Sequence, residues 1–478
     1  MTIVRKIAYN TVISTGARLL GVALSLISIG LIARYLGQSG FGSYSLVLAF
    51  LYIFDSLADL GLYSLMVREI SKSDVDEKKV ASNILTIRIV ALLVFMGIAS
   101  IIVWFFPYPA QVKNSVIIAS ISFIFLSIGQ VLMGIFQKYL RTDKSALADV
   151  LGRVAQLILV IIIMKFNLGF YSIMLALVIS GLINLSLLIV FARKYVHFSL
   201  QFDFAYWKKL IRATIPIAAS IVLTLVYFKI DSVFLSLPMI NRYSPNIMSD
   251  VGIYGIAYKI LEGLIFFPAM FVGLIMPLLS QSAFVDLEKF KKVFQKTLDI
   301  LIIFIVPLVI GLIMLSSQIV LLIGGSDFIA SGPVLNILAL AIGLIFLGSL
   351  FGNSIIALDK QKKGAWIYFW GMIFNIVINL IIIPKYRYIG AAWTTTATEL
   401  LVTIMMFILI SKTIKYLPKF RLIRPLIAGV CMAGFLYTLK GWSIFLLVLG
   451  GLIIYLVVLY LIKGIKKEEI LLLTKKEI

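Results

Sequence analysis

The chain has 478 residues, 62% of them hydrophobic and 13% charged, with a mean hydropathy of +1.10. That composition excludes an ordinary soluble domain, because about 20 consecutive apolar residues span a bilayer and such runs recur from end to end. The formal charge of +22 would point to nucleic acid in a soluble protein, but no nucleic-acid module is found and the charge follows membrane topology instead.

Fourteen membrane-spanning helices are predicted, at about 12–34, 41–65, 84–106, 115–137, 149–166, 170–192, 214–237, 251–278, 298–322, 333–357, 365–383, 389–410, 425–439 and 443–462. The first follows Arg5 and Lys6 without a small-residue cleavage site, so it reads as a retained helix and not a signal peptide. Turns are expected at Gly37, Pro107, Asn167, Pro238, Gly332 and Pro384. With the N-terminus on the cytoplasmic side, the cytoplasmic segments hold 32 Lys and Arg and the external turns 7. By the positive-inside rule both termini face the cytoplasm. The remaining four cations, Arg18, Arg88, Lys229 and Lys259, lie inside helices. The longest external turn, about 238–250, is too short for an external catalytic domain. Two amphipathic stretches, Phe202–Thr214 and Gly464–Ile478, are expected at the membrane surface.

The two halves of the chain echo one another. Gly42 and Tyr44 in GFGSYSL correspond to Gly252 and Tyr254 in DVGIYGI, an offset of 210. Asp143-Lys144 corresponds to Asp359-Lys360 at an offset of 216, and LGFYS from Leu168 to IGAAW from Ile389 at 221. Six helices per repeat give both repeats the same orientation, related by an axis along the membrane normal. The expected architecture is an all-α polytopic membrane protein: an N-terminal lobe (1–197), a cytoplasmic interfacial linker (198–213), a C-terminal lobe (214–411), and two extra helices with a cytoplasmic tail (412–478). A central path between two such lobes, opened by rocking, is the corresponding transport mechanism.

Charges inside apolar helices cost roughly 2.5 kcal/mol or more each, and they usually face a cavity or the bundle interior. Arg18 and Asp59 fall at similar depth on helices 1 and 2, so they can pair; Asp55 shares the face of Asp59, four residues earlier. Lys229 and Asp231 on helix 7, with Lys259 and Glu262 on helix 8, form the equivalent charged hairpin of the second repeat. Arg88 starts helix 3, where it can snorkel to the interface, and Glu399 is midway along helix 12. Each charge has two readings, a pair that fastens helices or a group lining the substrate path. Cations there would attract phosphate, and carboxylates could bind a proton or Na⁺. Pro268 and Pro277 suggest a bent helix 8, as a gate or as a packing device.

Other chemistry is absent from the sequence. There is no GxxxxGK[ST], and no His/Cys/carboxylate cluster suggests a metal site. His197, the sole histidine, reads as a surface residue, and Cys431 permits no disulfide within the chain. No nucleophile-and-base set can be assembled and no cofactor is expected.

ARLLG from Ala17, ARYLGQSGFGSYSL from Ala33, DLGL from Asp59 and VRE from Val67 resemble the opening of polysaccharide-biosynthesis flippases, the O-antigen or Wzx-like group of the multidrug/oligosaccharidyl-lipid/polysaccharide exporter superfamily. The DK-containing loops, the FDFAYWKKLIRATIP entry to helix 7 and the helix-8 prolines agree, so the resemblance covers essentially the whole chain. It implies movement of a lipid-linked oligosaccharide on an isoprenoid diphosphate from the cytoplasmic to the external leaflet. Membrane lipids, and polysaccharide polymerase or glycosyltransferase machinery, are the implied partners. Arg18 matches a helix-1 arginine that peptidoglycan-precursor flippases also carry, whereas their following Arg-Asp pair is replaced here by Gly21-Val22-Ala23-Leu24. The expected cavity cations are Arg18, Lys229, Lys259 and Arg88; the expected ion-coupling or pairing groups are Asp55, Asp59, Asp231, Glu262 and Glu399. The alternatives are a cation-coupled multidrug exporter of the same superfamily and an integral membrane glycan polymerase or glycosyltransferase.

Overall fold

The computed structural model describes the backbone of residues 3–59, 61–71 and 75–464, and no strand occurs among them. All but Gly464 of the expected tail helix Gly464–Ile478 lies outside the described residues. The helices are α1 (Ile3–Asp59), α2 (Leu62–Ile70), α3 (Glu77–Ile102), α4 (Ala110–Lys138), α5 (Thr142–Lys165), α6 (Phe170–Ala192), α7 (Phe204–Leu235), α8 (Ile247–Val285), α9 (Leu287–Gly324), α10 (Ser331–Ala357), α11 (Gln361–Ile414), α12 (Ile423–Thr438) and α13 (Ile444–Leu461).

Ten of these helices are long and apolar enough to cross a membrane. Two of the ten, α1 and α11, are broken, at Gly37 (φ 65°) and Arg387 (φ 51°). Counting both arms of each, and adding α7 and the shorter α12, the described residues hold fourteen helical segments besides the short α2. The chain is therefore a multi-pass membrane protein.

The break in α1 is a reversal. Ser14 Oγ bonds Thr142 at 2.8 Å and Tyr63 Oη bonds Gln137 at 2.6 Å, five residues apart on the chain, yet 49 residues of straight helix would separate Ser14 from Tyr63 by roughly 75 Å. A Cβ at Gly37 would meet nothing within 4 Å, so backbone conformation and not space calls for glycine. In α11 the expected turn at Pro384 is corrected: Pro384 stays inside the helix and the break falls three residues later at Arg387. Pro268 and Pro277 likewise stay inside α8.

The same C-terminal cap recurs at several helix ends, and at the two DK-containing loops its residues are offset by 219 rather than 216. After α4, Leu140 takes φ 50° and Arg141 N–H donates to the Phe136 carbonyl at 2.8 Å. After α10, Asp359 takes φ 54° and Lys360 N–H donates to the Ile355 carbonyl at 2.9 Å. Both are the same left-handed cap with a bond spanning five residues, and both lie at the DK-containing loops.

The described chain falls into two compact units: Met1–Gly255 with Ile376–Tyr388, and Ile256–Asn375 with Ile389–Ile478. In the first, α4 packs on α6 and α3, and α1 on α5 and α7. Its core cluster includes Met66, Ile84, Val131, Phe136 and Trp207. A polar ladder fixes the approach to α7. Ser199 N–H donates to Ser82 Oγ (3.0 Å), Gln201 N–H to Thr86 Oγ1 (3.0 Å), and both Asp203 N–H (3.2 Å) and the Trp207 indole (2.9 Å) to Asn83 Oδ1. These bonds satisfy buried polar groups that would otherwise be costly. α7 begins at Phe204 rather than at the expected 214, so the amphipathic segment is continuous with the pass. In the second unit, α9 packs on α10 and α12, and α12 on α13. An aromatic row, Phe290, Phe294, Phe351 and Phe407, lines its interior.

Candidate functional site

The repeat motifs at Gly42 and Gly252 lie against each other in the first unit. A Cβ on Gly42 would fall 1.7 Å from the Met248 carbonyl oxygen, and one on Gly252 would fall 2.1 Å from the Gln38 carbonyl oxygen. Gln38 plus 210 is 248, so the two contacts exchange under the repeat offset. Residues that touch their own repeat equivalents mark a pseudo-two-fold axis. Backbone can approach backbone this closely only without side chains. Ser45 and Gly255, also 210 apart, meet one helical turn on, and Ser249 Oγ bonds the Gln38 side chain.

Asp250, fully buried, accepts a two-pronged ion pair from Arg387: Nε to Oδ2 at 2.7 Å, and Nη2 to Oδ1. Asn241 Nδ2 adds a bond at 3.0 Å. Asp250 and Arg387 had been placed in external turns, and the turn assignment hid the contact. The left-handed φ of Arg387 is held by this pair.

The largest correction concerns Arg88. It does not snorkel: it is wholly buried, 3.0 Å from Asp59 and 3.5 Å from Asp55. Helix α3 starts at Glu77, capped by Asp76 accepting from Lys79 N–H at 3.1 Å. Arg88 is therefore three turns inside the helix, not at its mouth. Asp59, expected beside Arg18, is brought to Arg88, and Asp55 accepts a bond from Ser127 Oγ. Arg18 is exposed on α1.

In the second charged hairpin, Lys229 is buried with its Nζ 4.7 Å from the Tyr52 ring centre, a cation–π contact. Phe123 meets that ring edge-on. Asp231, also buried, accepts from Tyr254 Oη (2.9 Å) and Asn379 Nδ2 (2.6 Å). Lys229 and Asp231 belong to the first unit. Lys259 and Glu262, in the second, pair at 2.7 Å as expected from their i, i+3 spacing. Glu399 is buried there near Tyr368, and Asn375 donates to Thr398 at 3.3 Å. Asn379, Tyr254 and Ser127 were missed by the sequence reading. Asn375 and Asn379, one turn apart in an apolar run, were the available signal.

These features define a multi-pass membrane protein with matching motifs in its two halves and ionisable groups held inside its helices. Residues 7–283 match the family described as "Polysaccharide biosynthesis protein", and the chain belongs to that family. It is 21% identical over 469 residues to the "Probable low-salt glycan biosynthesis flippase Agl15" of Haloferax volcanii, covering 94% of this chain and 95% of that one. It is 25% identical over 299 residues to the "Capsular polysaccharide biosynthesis protein CapF" of Staphylococcus aureus, covering 62% and 74%. In fold it is similar to the lipid II flippase MurJ in an inward closed conformation (TM-score 0.75, 16% identity, 95% and 98% covered). It is also similar to an inward-facing multidrug-resistance MATE transporter (TM-score 0.65, 13% identity, 85% and 99% covered).

Proposed function

We propose that the chain is a flippase that moves a lipid-linked oligosaccharide, carried on an isoprenoid diphosphate, from the cytoplasmic to the external leaflet for cell-surface polysaccharide biosynthesis. It resides in the cytoplasmic membrane with both termini inside, as the 32-to-7 bias of Lys and Arg supports. It acts as a transporter and not as an enzyme, alongside polysaccharide polymerase or glycosyltransferase machinery. Lobes 1–197 and 214–411, joined through 198–213 and followed by 412–478, rock about the pseudo-two-fold.

The observation that carries this reading is Arg18: a cation exposed on the first arm of α1, in a chain of the polysaccharide biosynthesis family. Each unit offers cations to the diphosphate, Arg18 and Lys229 in the first and Lys259 in the second, while the isoprenoid tail stays in lipid. Arg88 is better read with Asp55 and Asp59 than with the substrate, because two carboxylates already face it. Asp231, Glu262 and Glu399 hold polar neighbours in place. The likeness in fold to MATE transporters keeps a multidrug exporter as the second reading, and substrate choice separates the two.

The test is leaflet accessibility of a fluorescent isoprenyl-diphosphate oligosaccharide in liposomes. Replacing Arg18, Lys229 and Lys259 together by Ala is expected to slow flipping by at least about 100-fold, since each desolvated charge contact carries about 1.5–3 kcal/mol. Unchanged flipping contradicts the cationic mechanism. Sugar transfer without flipping contradicts the transporter reading, and export of cationic drugs in its place favours the second reading.

A further inference from the structure

We propose that Arg88, Asp55 and Asp59 form a binding site for one exchangeable proton. The three side chains come from α1 and α3, with Ser127 of α4 donating to Asp55. The argument is one of charge and geometry. Two carboxylates share one guanidinium, so the unprotonated cluster carries a net negative charge inside a membrane helix bundle, where a single uncompensated charge is costly.

Arg88 shows the imbalance directly. It is wholly buried, and none of its three nitrogens completes a directional hydrogen bond, although both carboxylates lie within ion-pair distance. A guanidinium committed to one carboxylate makes two parallel bonds, as Arg387 does with Asp250. Arg88 instead stands between two acids and engages neither fully. One proton resolves this: it converts one carboxylate to a neutral carboxyl, leaving the other free to take the full fork of Arg88. The acids keep 13% and 20% of their side-chain surface exposed while Arg88 keeps none, so the proton has access to the acids. A metal ion fits the site poorly, since it would find only Asp55, Asp59 and Ser127 as side-chain oxygens and a buried cation beside them.

Several other charged or titratable groups on the packed elements have partners of their own, Asp149 with Arg153 on α5 and Asp231 with Tyr254 and Asn379 on α7 among them. Tyr63 of α2 donates to Gln137, and Arg68 pairs with Glu69. On α4 and α3, Lys138 and Tyr139 both bond Glu77, and Lys79 pairs with Asp203. Lys229 of α7 lies over Tyr52.

Infrared spectroscopy of the full chain in lipid nanodiscs tests the proposal, because a protonated carboxyl has a C=O stretch that a carboxylate lacks. Subtracting variant from wild-type spectra at neutral pH isolates this site. The band is expected to vanish in Asp55→Asn and equally in Asp59→Asn, since either change leaves one acid matched to Arg88. In Arg88→Met it should grow about twofold, because both acids then take protons; if that variant does not fold, the two Asn variants decide. A band absent from wild type, or lost in Asp55→Asn but intact in Asp59→Asn, overturns the shared proton. A band removed by replacing choline with sodium overturns it too, in favour of a metal ion.

Use of this proton to drive transport rests on the flippase reading. Flipping accelerated by an imposed proton gradient is expected to lose that acceleration in Asp55→Asn, and retention of it in both Asn variants overturns the coupling role. The spectroscopic arm needs no substrate. Wild-type protein that shows the band and flips nothing therefore contradicts the flippase reading alone.

Discussion

Gly42→Ala is expected to abolish flipping while leaving the protein inserted and monodisperse. The added Cβ would stand 1.7 Å from the Met248 carbonyl oxygen, where a carbon needs about 3.3 Å. The obstacle is helix backbone, so no rotamer change relieves it, and the crossing must open by well over an ångström. Gly252→Ala meets the Gln38 carbonyl at 2.1 Å and should behave alike, as the repeat requires. Gly255→Ala is the graded control. Its Cβ meets Ser45 Oγ at 2.6 Å, and a hydroxyl can turn away. Flipping should therefore fall less, and Ser45→Ala in the same chain should restore it. Equal activity of Gly42→Ala and wild type, measured by leaflet accessibility, would show that this crossing has no part in transport.

Arg387→Ala is expected to cost about 2–3 kcal/mol, between the values for exposed and for buried ion pairs, because Asp250 is buried while Arg387 is partly exposed. It leaves the Asp250 carboxylate buried, with the Asn241 amide still donating to it. Arg387→Gly separates two contributions. It loses the same pair but relieves the left-handed backbone at φ 51°, worth about 1 kcal/mol. Thermal unfolding in detergent should rank wild type above Arg387→Gly, and Arg387→Gly above Arg387→Ala. A neutral Arg387→Ala would mean that the pair does not hold the break in α11.

Much of this architecture is legible in the sequence because bilayer thickness leaves little choice of helix length. The turn at Gly37 and the Lys259–Glu262 pair follow from local chemistry, whereas the left-handed cap at Leu140 does not. The repeat offset of 210 was readable too, although only the folded chain shows that Gly42 meets Gly252. The misreadings share a cause. Hydropathy begins helix 3 where its apolar run begins, but α3 starts at Glu77, at a cap, with two polar turns. That shift moves Arg88 from interface to interior and changes its partners. Pro384 was taken as a break because proline usually ends helices, whereas the break lies at Arg387, where a distant carboxylate rewards it. Asn83, Asp250 and Asn379 are ordinary in sequence, and their partners lie between nine and 148 residues away.

The central claim, that a lipid-linked glycan crosses the membrane by alternation about the repeat axis, is tested most directly by a reversible lock. A Cβ on Gly255 would lie 3.1 Å from the Ser45 Cβ, a few tenths of an ångström inside the usual disulfide separation of about 3.5–4.5 Å. The chain's single cysteine, exposed Cys431, is first replaced by Ser. Ser45→Cys with Gly255→Cys, reconstituted with a fluorescent isoprenyl-diphosphate oligosaccharide, is predicted to flip it when reduced, more slowly than wild type, to stop when oxidised, and to resume on re-reduction. Flipping that continues unchanged with the disulfide closed would contradict the account.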